Sequence, residues 1–358
     1  MNLLIRYESV NPWKFSFSIL QWFGNLVTVE WWGQTWLNEG FAQFISYIGS
    51  EHVDHTRTLH PWARFYVDEM QNVMLSDQNS TSHWPMTDET TDRKDIRRMF
   101  GEFTYLKGAS VIRMFQSMIS KPTFTRGLIN YLQDMKYGSV TEDDLFFHLE
   151  AAAMEEEKWP ATNRPLSDVM KSWTNQAGLP IVHASLSNDR KLHLNQTWLV
   201  NSGKPADQRL WHIPITLTSV EESPLLGWDA TEPYTWLWQD QIEKDVDIND
   251  AIPDGIPFIV NVQGTGYYRV NYDESNWVNL ADILSANMDL IHPLNRAQII
   301  CDISALFDTG HVSLTTRDMI LAYIENDTDF LPLYAFQECT GNDPFKSSRI
   351  KNHQGFSK

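Results

Sequence analysis

Leu37, Phe41, Phe44 and Ile48 recur at steps of three and four, which predicts a helix with one apolar face. Val111, Ile112, Phe115, Met118 and Ile119 predict a second. Thr141 followed by Asp144 reads as a cap ahead of a helix over 145–153. Residues 75–95 are polar, rich in Ser, Thr and Asp, and read as a long surface loop. The period changes at Gly178-Leu179-Pro180. Residues 191–199 alternate after the turn signal Ser187-Asn188-Asp189, and short runs follow at 211–220, 234–238, 258–262 and 267–272. Short strands at this spacing predict an antiparallel β-sandwich, with Gly264 and Gly266 turning the chain between the last two runs. Helical spacing returns after Asp273, in Trp277, Leu280 and Leu284 and again in Ile299, Ile303 and Leu306. Residues 338–358 are polar and aperiodic and read as a disordered tail. The expected fold class is multidomain α+β: mainly helical over 1–178, a β-sandwich over 179–272, helical again over 273–337, then the tail.

Composition narrows the function. The chain has 358 residues, 46 acidic against 28 basic, for a net charge of −18. That balance argues against a nucleic-acid binder, which presents a basic face, and against a polybasic membrane-surface protein. Forty-two per cent hydrophobic residues with fifteen Trp are too many for a disordered chain. No run approaches the roughly 20 apolar residues of a membrane span. Arg6, Glu8, Asn11 and Lys14 interrupt the N-terminal apolar stretch, so no signal peptide is read there. Cys301 and Cys339 are too few for a disulfide framework and leave the redox compartment open. Three sequons, at Asn79, Asn195 and Asn326, hint at a secreted ancestry.

The chemistry sits in short segments. They are Gln21-Trp-Phe-Gly-Asn-Leu-Val-Thr28, Trp36-Leu-Asn-Glu-Gly-Phe-Ala42, Tyr105-Leu-Lys-Gly-Ala-Ser110, Trp173-Thr-Asn-Gln-Ala-Gly-Leu-Pro180, and Gly266-Tyr-Tyr-Arg-Val-Asn-Tyr272 with Leu294-Asn-Arg-Ala-Gln298 downstream. In order and spacing these closely resemble the zinc aminopeptidases of the aminopeptidase N, or gluzincin, type, from about Gln21 to about Leu333. The resemblance implies a thermolysin-like catalytic domain, here in its helical part, followed by a β-sandwich and the start of a helical C-terminal domain. It also implies peptide substrates, cleaved at the N-terminal residue by a zinc-activated water. Carried over by position, Glu39 is the third zinc ligand, and Tyr105 is the tyrosine whose hydroxyl stabilises the oxyanion.

The match breaks at one point. In the family, two His ligands and the general-base Glu form His-Glu-x-x-His, whose second His lies nineteen residues before the ligand Glu. Counting back from Glu39 gives Leu20, and the five residues are Ser16-Phe-Ser-Ile-Leu20. Both histidines and the base are replaced, so zinc binding by this chain is not expected. The family's Gly-x-Met-Glu-Asn segment and N-terminal β domain have no counterpart here either, and the chain reads as truncated at both ends. The expectation is an inactive member as written, with Glu39 and Tyr105 vestigial. The alternative is a catalytically dead member that binds a peptide or partner; a dimer partner stays open. His52 and His55 share a His-x-x-His spacing but read as surface polar residues, and His60 and His83 as solvated. Trp22, Phe23, Trp31, Trp32 and Trp36 read as core packing between helices rather than a substrate box, although a missing β lobe would leave part of that aromatic surface uncovered. Arg269 reads as structural, on a strand, and Arg296 as facing a cavity in the helical part.

Overall fold

The computed structural model describes residues 19–341 apart from 55–59, 80–82, 90, 160–163, 188, 202–207, 221–225, 250 and 254. Ser16–Ser18, His55 and the tail from 342 lie outside the described residues. The chain divides into two units: residues 1–73 with 84–177, and residues 74–83 with 178–358.

The first unit is mainly helical. A short strand β1 (Thr28–Val29) leads into α1 (Trp36–Val53), the helix predicted from Leu37, Phe41 and Phe44, all of which are buried. A π-helical segment, Phe65–Gln71, follows. A second, Phe103–Lys107, runs directly into α2 (Gly108–Ile119). Ser120 then turns the chain into α3 (Lys121–Asp134) with φ 73°. β2 (Ser139–Val140) pairs in parallel with β1. The cap predicted at Thr141 is present: the Thr141 amide donates to the Asp144 carboxylate at 2.8 Å, and α4 (Glu142–Glu155) starts three residues earlier than the apolar spacing suggested. α5 (Leu166–Thr174) closes the unit. Residues 75–95 are not one loop: they include the end of a helix at Asn72–Asp77 and the start of another at Arg93–Arg98.

The second unit holds both the strands and the later helices. β3 (Pro180–Leu186), β4 (Lys191–Trp198), β8 (Glu243–Asp247) and β10 (Arg269–Tyr272) form a four-stranded sheet in the order β10-β3-β4-β8. The burial of β4 alternates along its length, as its sequence does. The pairs β3–β4 and β4–β8 are antiparallel, but β10 runs parallel to β3, from Arg269 against Ile181 to Tyr272 against Ala184. The purely antiparallel expectation fails at that edge. A parallel neighbour needs a long connection, and here most of the β-rich region lies between the two strands. The run at 211–220 breaks at Thr216 into β5 (Ile213–Ile215) and β6 (Leu217–Ser219). These pair with β7 (Thr235–Leu237) and β9 (Phe258–Val260) respectively. The link from β9 to β10 is not a simple tight turn, because Asn261, Gln263 and Gly264 all adopt positive φ. Asn261 Oδ1 accepts the Gly266 amide at 2.7 Å, and a Cβ on Gly266 would lie 2.1 Å from the Tyr268 ring.

Helices α6 (Glu274–Asn287), α7 (Pro293–Asp308), α8 (Leu314–Leu321) and α9 (Phe330–Cys339) complete this unit. Asp273 caps α6 by accepting the Asn276 amide at 2.8 Å. α9 runs to Cys339, two residues into the segment read as a tail, and Cys339 is disulfide-bonded to Cys301 of α7 with their Cα atoms 5.1 Å apart. Closing a loop of that length contributes about 4 kcal/mol on the chain-entropy account. Among the described residues no helix is long and apolar enough to cross a membrane.

Candidate active site

Two glycines bring the two candidate positions together. Gly40 on α1 meets Gly108 at the start of α2. A Cβ on Gly40 would stand 3.1 Å from the Gly108 Cα and 3.2 Å from the Thr104 carbonyl oxygen. With no side chain at either position, the two backbones cross closely. Glu39 precedes Gly40, and Tyr105 lies on the π-helical turn that leads into Gly108. The Tyr105 hydroxyl donates a hydrogen bond to the Glu39 carboxylate.

Both groups are half-buried. Burial holds the Glu39 carboxyl above the usual carboxylate range, partly offset by the Tyr105 bond. Burial pushes the Tyr105 phenol up to about 12, and the charge and hydrogen bond of Glu39 add to it. Burial thus makes the Glu39 carboxylate costlier to charge, while the hydrogen bond from the Tyr105 phenol favours the charged form. A carboxyl whose folded pKa is raised contributes stability below its unfolded pKa and loses it as the pH rises through the folded value. Glu39→Gln keeps an acceptor for Tyr105 and removes that loss. It is expected to stabilise the protein by about 0.5–1 kcal/mol at pH 7, after allowance for solvent screening, and to change little below pH ~4. Denaturant unfolding at the two pH values checks this.

Sequence reasoning missed a polar stripe on α1. Gln43 and Tyr47 follow Glu39 at steps of four, along a helix that is otherwise largely buried on Leu37, Phe41 and Phe44. Both reach Glu69 on the first π-helical segment: Gln43 Nε2 donates to Glu69 Oε1 at 2.9 Å, and the Tyr47 hydroxyl donates to the same oxygen at 2.5 Å. Glu69 is buried and held above the usual carboxylate range by desolvation. The four-residue repeat from Glu39 was the available signal.

The aromatic cluster divides. Trp36 is fully buried and Phe23 stacks on Phe41 with centroids 4.5 Å apart. Trp22, Trp31 and Trp32 are 47%, 46% and 47% exposed, so the reading of all five as core is corrected for these three. The reason is local: α1 begins at Trp36, and only residues on its inward face or stacked against it are covered.

Other candidates resolve plainly. His52 is exposed in the last turn of α1, and His60 is exposed. His83 is not freely solvated: it contacts the Asp77 carbonyl at 3.0 Å and the Arg209 guanidinium at 3.3 Å. Arg269 is structural, paired with buried Asp302 at 3.1 Å. Arg296 is buried against Asp327 at 2.6 Å and also pairs with Asp329. No group of three or more His, Cys, Asp or Glu is placed to hold a metal ion among the described residues.

The helical unit with its Glu39–Tyr105 pair, and the helical end of the second unit, each have a known counterpart. Residues 19–173 match the peptidase family M1 domain, and residues 257–342 match the ERAP1-like C-terminal domain. The chain belongs to the M1 peptidase family and is of the aminopeptidase N type. It is 32% identical to aminopeptidase N of Rattus norvegicus over 321 residues, which is 87% of this chain and 31% of that protein. It is 33% identical to aminopeptidase N of Oryctolagus cuniculus over 327 residues, 88% of this chain and 32% of that protein. It is also 31% identical to the thyrotropin-releasing hormone-degrading ectoenzyme of Mus musculus over 325 residues, 88% of this chain and 29% of that protein. The chain thus spans about a third of the length of the curated relatives it matches.

Proposed function

We propose that this chain is a zinc metallo-aminopeptidase relative that keeps two residues of the catalytic site, Glu39 and Tyr105, but not the means to hold zinc or activate water. The observation that carries this reading is the segment Ser16-Phe-Ser-Ile-Leu20, which stands nineteen residues ahead of Glu39 where the family's ligand spacing calls for two histidines and a base. Ser and Leu at those two positions supply no imidazole, and Phe17 supplies no carboxylate. The donor set therefore does not fit zinc: one carboxylate, already bonded to a phenol, does not compete with water for the ion. The losses compound, because removing even the groups that orient ligands costs roughly 10–100-fold.

The same reading divides the chain as a partial thermolysin-like domain over 1–178, a β-sandwich over 179–272 and the beginning of a helical C-terminal domain over 273–337. In this account the Tyr105–Glu39 pair is a structural contact. The names of the relatives, aminopeptidases and an ectoenzyme, support peptides as the substrate class of the lineage.

The test is release of N-terminal amino acids from a panel of unblocked peptides by the full chain in buffer with added zinc. The expected result is no release above the protein-free rate, unchanged by Tyr105→Phe. Turnover that falls on replacing Tyr105 or Glu39 would overturn the proposal.

A further inference from the structure

The disulfide and one of the sequons lie in the same stretch of the second unit. α7 carries Cys301 and α9 carries Cys339, and the chain between them contains Asn326-Asp327-Thr328. Asn326 ends a short 3-10 turn, Ala322–Asn326, three residues before the cap of α9. Its backbone continues into extended Asp327, at φ −74° and ψ 135°. Asp327 is fully buried, its carboxylate held at 2.6 Å by the equally buried Arg296. Fixing the middle residue inward leaves its two neighbours on the outside, and both Asn326 and Thr328 are exposed. The sequon therefore presents its amide and its hydroxyl at the surface while its centre is anchored in the core.

The other sequons are less favourable. Asn195 sits half-buried on β4, between β3 and β8, and the hydroxyl of its Thr197 contacts His183 Nε2 at 2.9 Å. For Asn79, the two residues that complete the motif lie outside the described ones.

A disulfide between neighbouring helices forms and persists in an oxidising compartment. A sequon is modified only in such a route, and only where the folded surface leaves room for the sugar. Two separate observations thus point the same way. We propose that Asn326 is an N-glycosylation site, and that the chain acquires both this sugar and the Cys301–Cys339 bond in an oxidising, glycosylating compartment. In the transfer, the Asn326 side-chain nitrogen loses one proton and forms a bond to the anomeric carbon of an oligosaccharide. The bond from that carbon to a lipid-linked diphosphate breaks, and the diphosphate leaves with the electron pair. The inference stands independently of whether Glu39 and Tyr105 perform any chemistry.

The experiment digests the full chain, purified from the cells that make it, without reducing agent, and follows two peptides by mass spectrometry. One carries Asn326 and the other the Cys301–Cys339 link. The expected result is a linked cysteine pair together with a sugar-bearing Asn326 that peptide N-glycosidase converts to aspartate. Asn326→Gln and Thr328→Val should each abolish the modification, and Thr328→Ser should retain it. Thr328→Val leaves Asn326 in place, so its loss of sugar separates the motif from any effect on folding. An unmodified Asn326 peptide, whether the cysteines are linked or free, would overturn the proposal.

Discussion

Replacing Asp302 by alanine is expected to cost about 3–5 kcal/mol, because it strands a buried guanidinium. Arg269 and Asp302 are 1% and 2% exposed and lie 3.1 Å apart. Asp302 does more than pair: its second oxygen accepts the Val270 amide at 3.1 Å and the Gln298 amide nitrogen at 3.3 Å. One carboxylate on α7 therefore ties down two successive residues of β10. Burial pushes the Asp302 carboxyl up, against the pull of Arg269, so the native state already carries the cost of desolvating it. Removing the carboxylate keeps the cost of burying Arg269 and discards what offsets it. Replacing both partners, Arg269→Met with Asp302→Leu, should be milder than Asp302→Ala alone, since no unpaired charge remains. Denaturant midpoints at unchanged slope give the comparison, with a fall in Tm of roughly 10 °C for the single variant. A double variant less stable than Asp302→Ala would show that packing, rather than charge, dominates here.

Gly33→Ala is expected to be comparably damaging in the first unit. A Cβ at Gly33 would lie 1.6 Å from the Asp88 carbonyl oxygen, which is backbone and cannot rotate away. The contact is backbone against backbone, with the Asp88 amide donating to the Gly33 carbonyl at 3.0 Å. The neighbouring Thr87 joins three elements. Its amide donates to Thr174 at 2.9 Å, its hydroxyl donates to Glu142 at 2.7 Å, and it accepts the Trp36 indole N–H at 2.9 Å. Gln34 accepts the Glu142 amide at 2.6 Å. Moving Asp88 by the distance a methyl needs breaks several of these bonds at the first turn of α1, three residues before Glu39. The expected loss is about 3 kcal/mol, the upper range for overpacking. Gly227→Ala, where no atom of the described residues lies within 4 Å of the added Cβ, serves as the silent control. Amide exchange should speed up at Thr87 and Asp88 in the Gly33 variant and stay unchanged in the control.

Local signals along the chain were readable and non-local ones were not. The buried face of α1, the Thr141–Asp144 cap, the alternation of β4 and the return of helix after Asp273 depend on residues within about two turns of one another. Asp77 shows the opposite case. It sits in a polar stretch that reads as loop, yet it is fully buried, accepting the Gly178 amide at 2.8 Å and the Tyr267 hydroxyl at 3.1 Å. Those partners are 101 and 190 residues away, and no periodicity can announce them. The parallel pairing of β10 with β3 and the Cys301–Cys339 bond are hidden for the same reason. The two positions of the candidate site were named through motif resemblance, not pattern. The hydrogen bond between Glu39 and Tyr105, and the Gly40–Gly108 crossing that allows it, came from the fold.

The measurement closest to the central claim is the zinc content of the full chain, purified without a metal-binding tag and equilibrated with micromolar zinc before desalting. The account predicts essentially no retained zinc, with Glu39→Ala indistinguishable from the parent. Close to one zinc per chain, lost in Glu39→Ala, would mean that other ligands complete the site and would contradict the reading of Ser16–Leu20 as disabling.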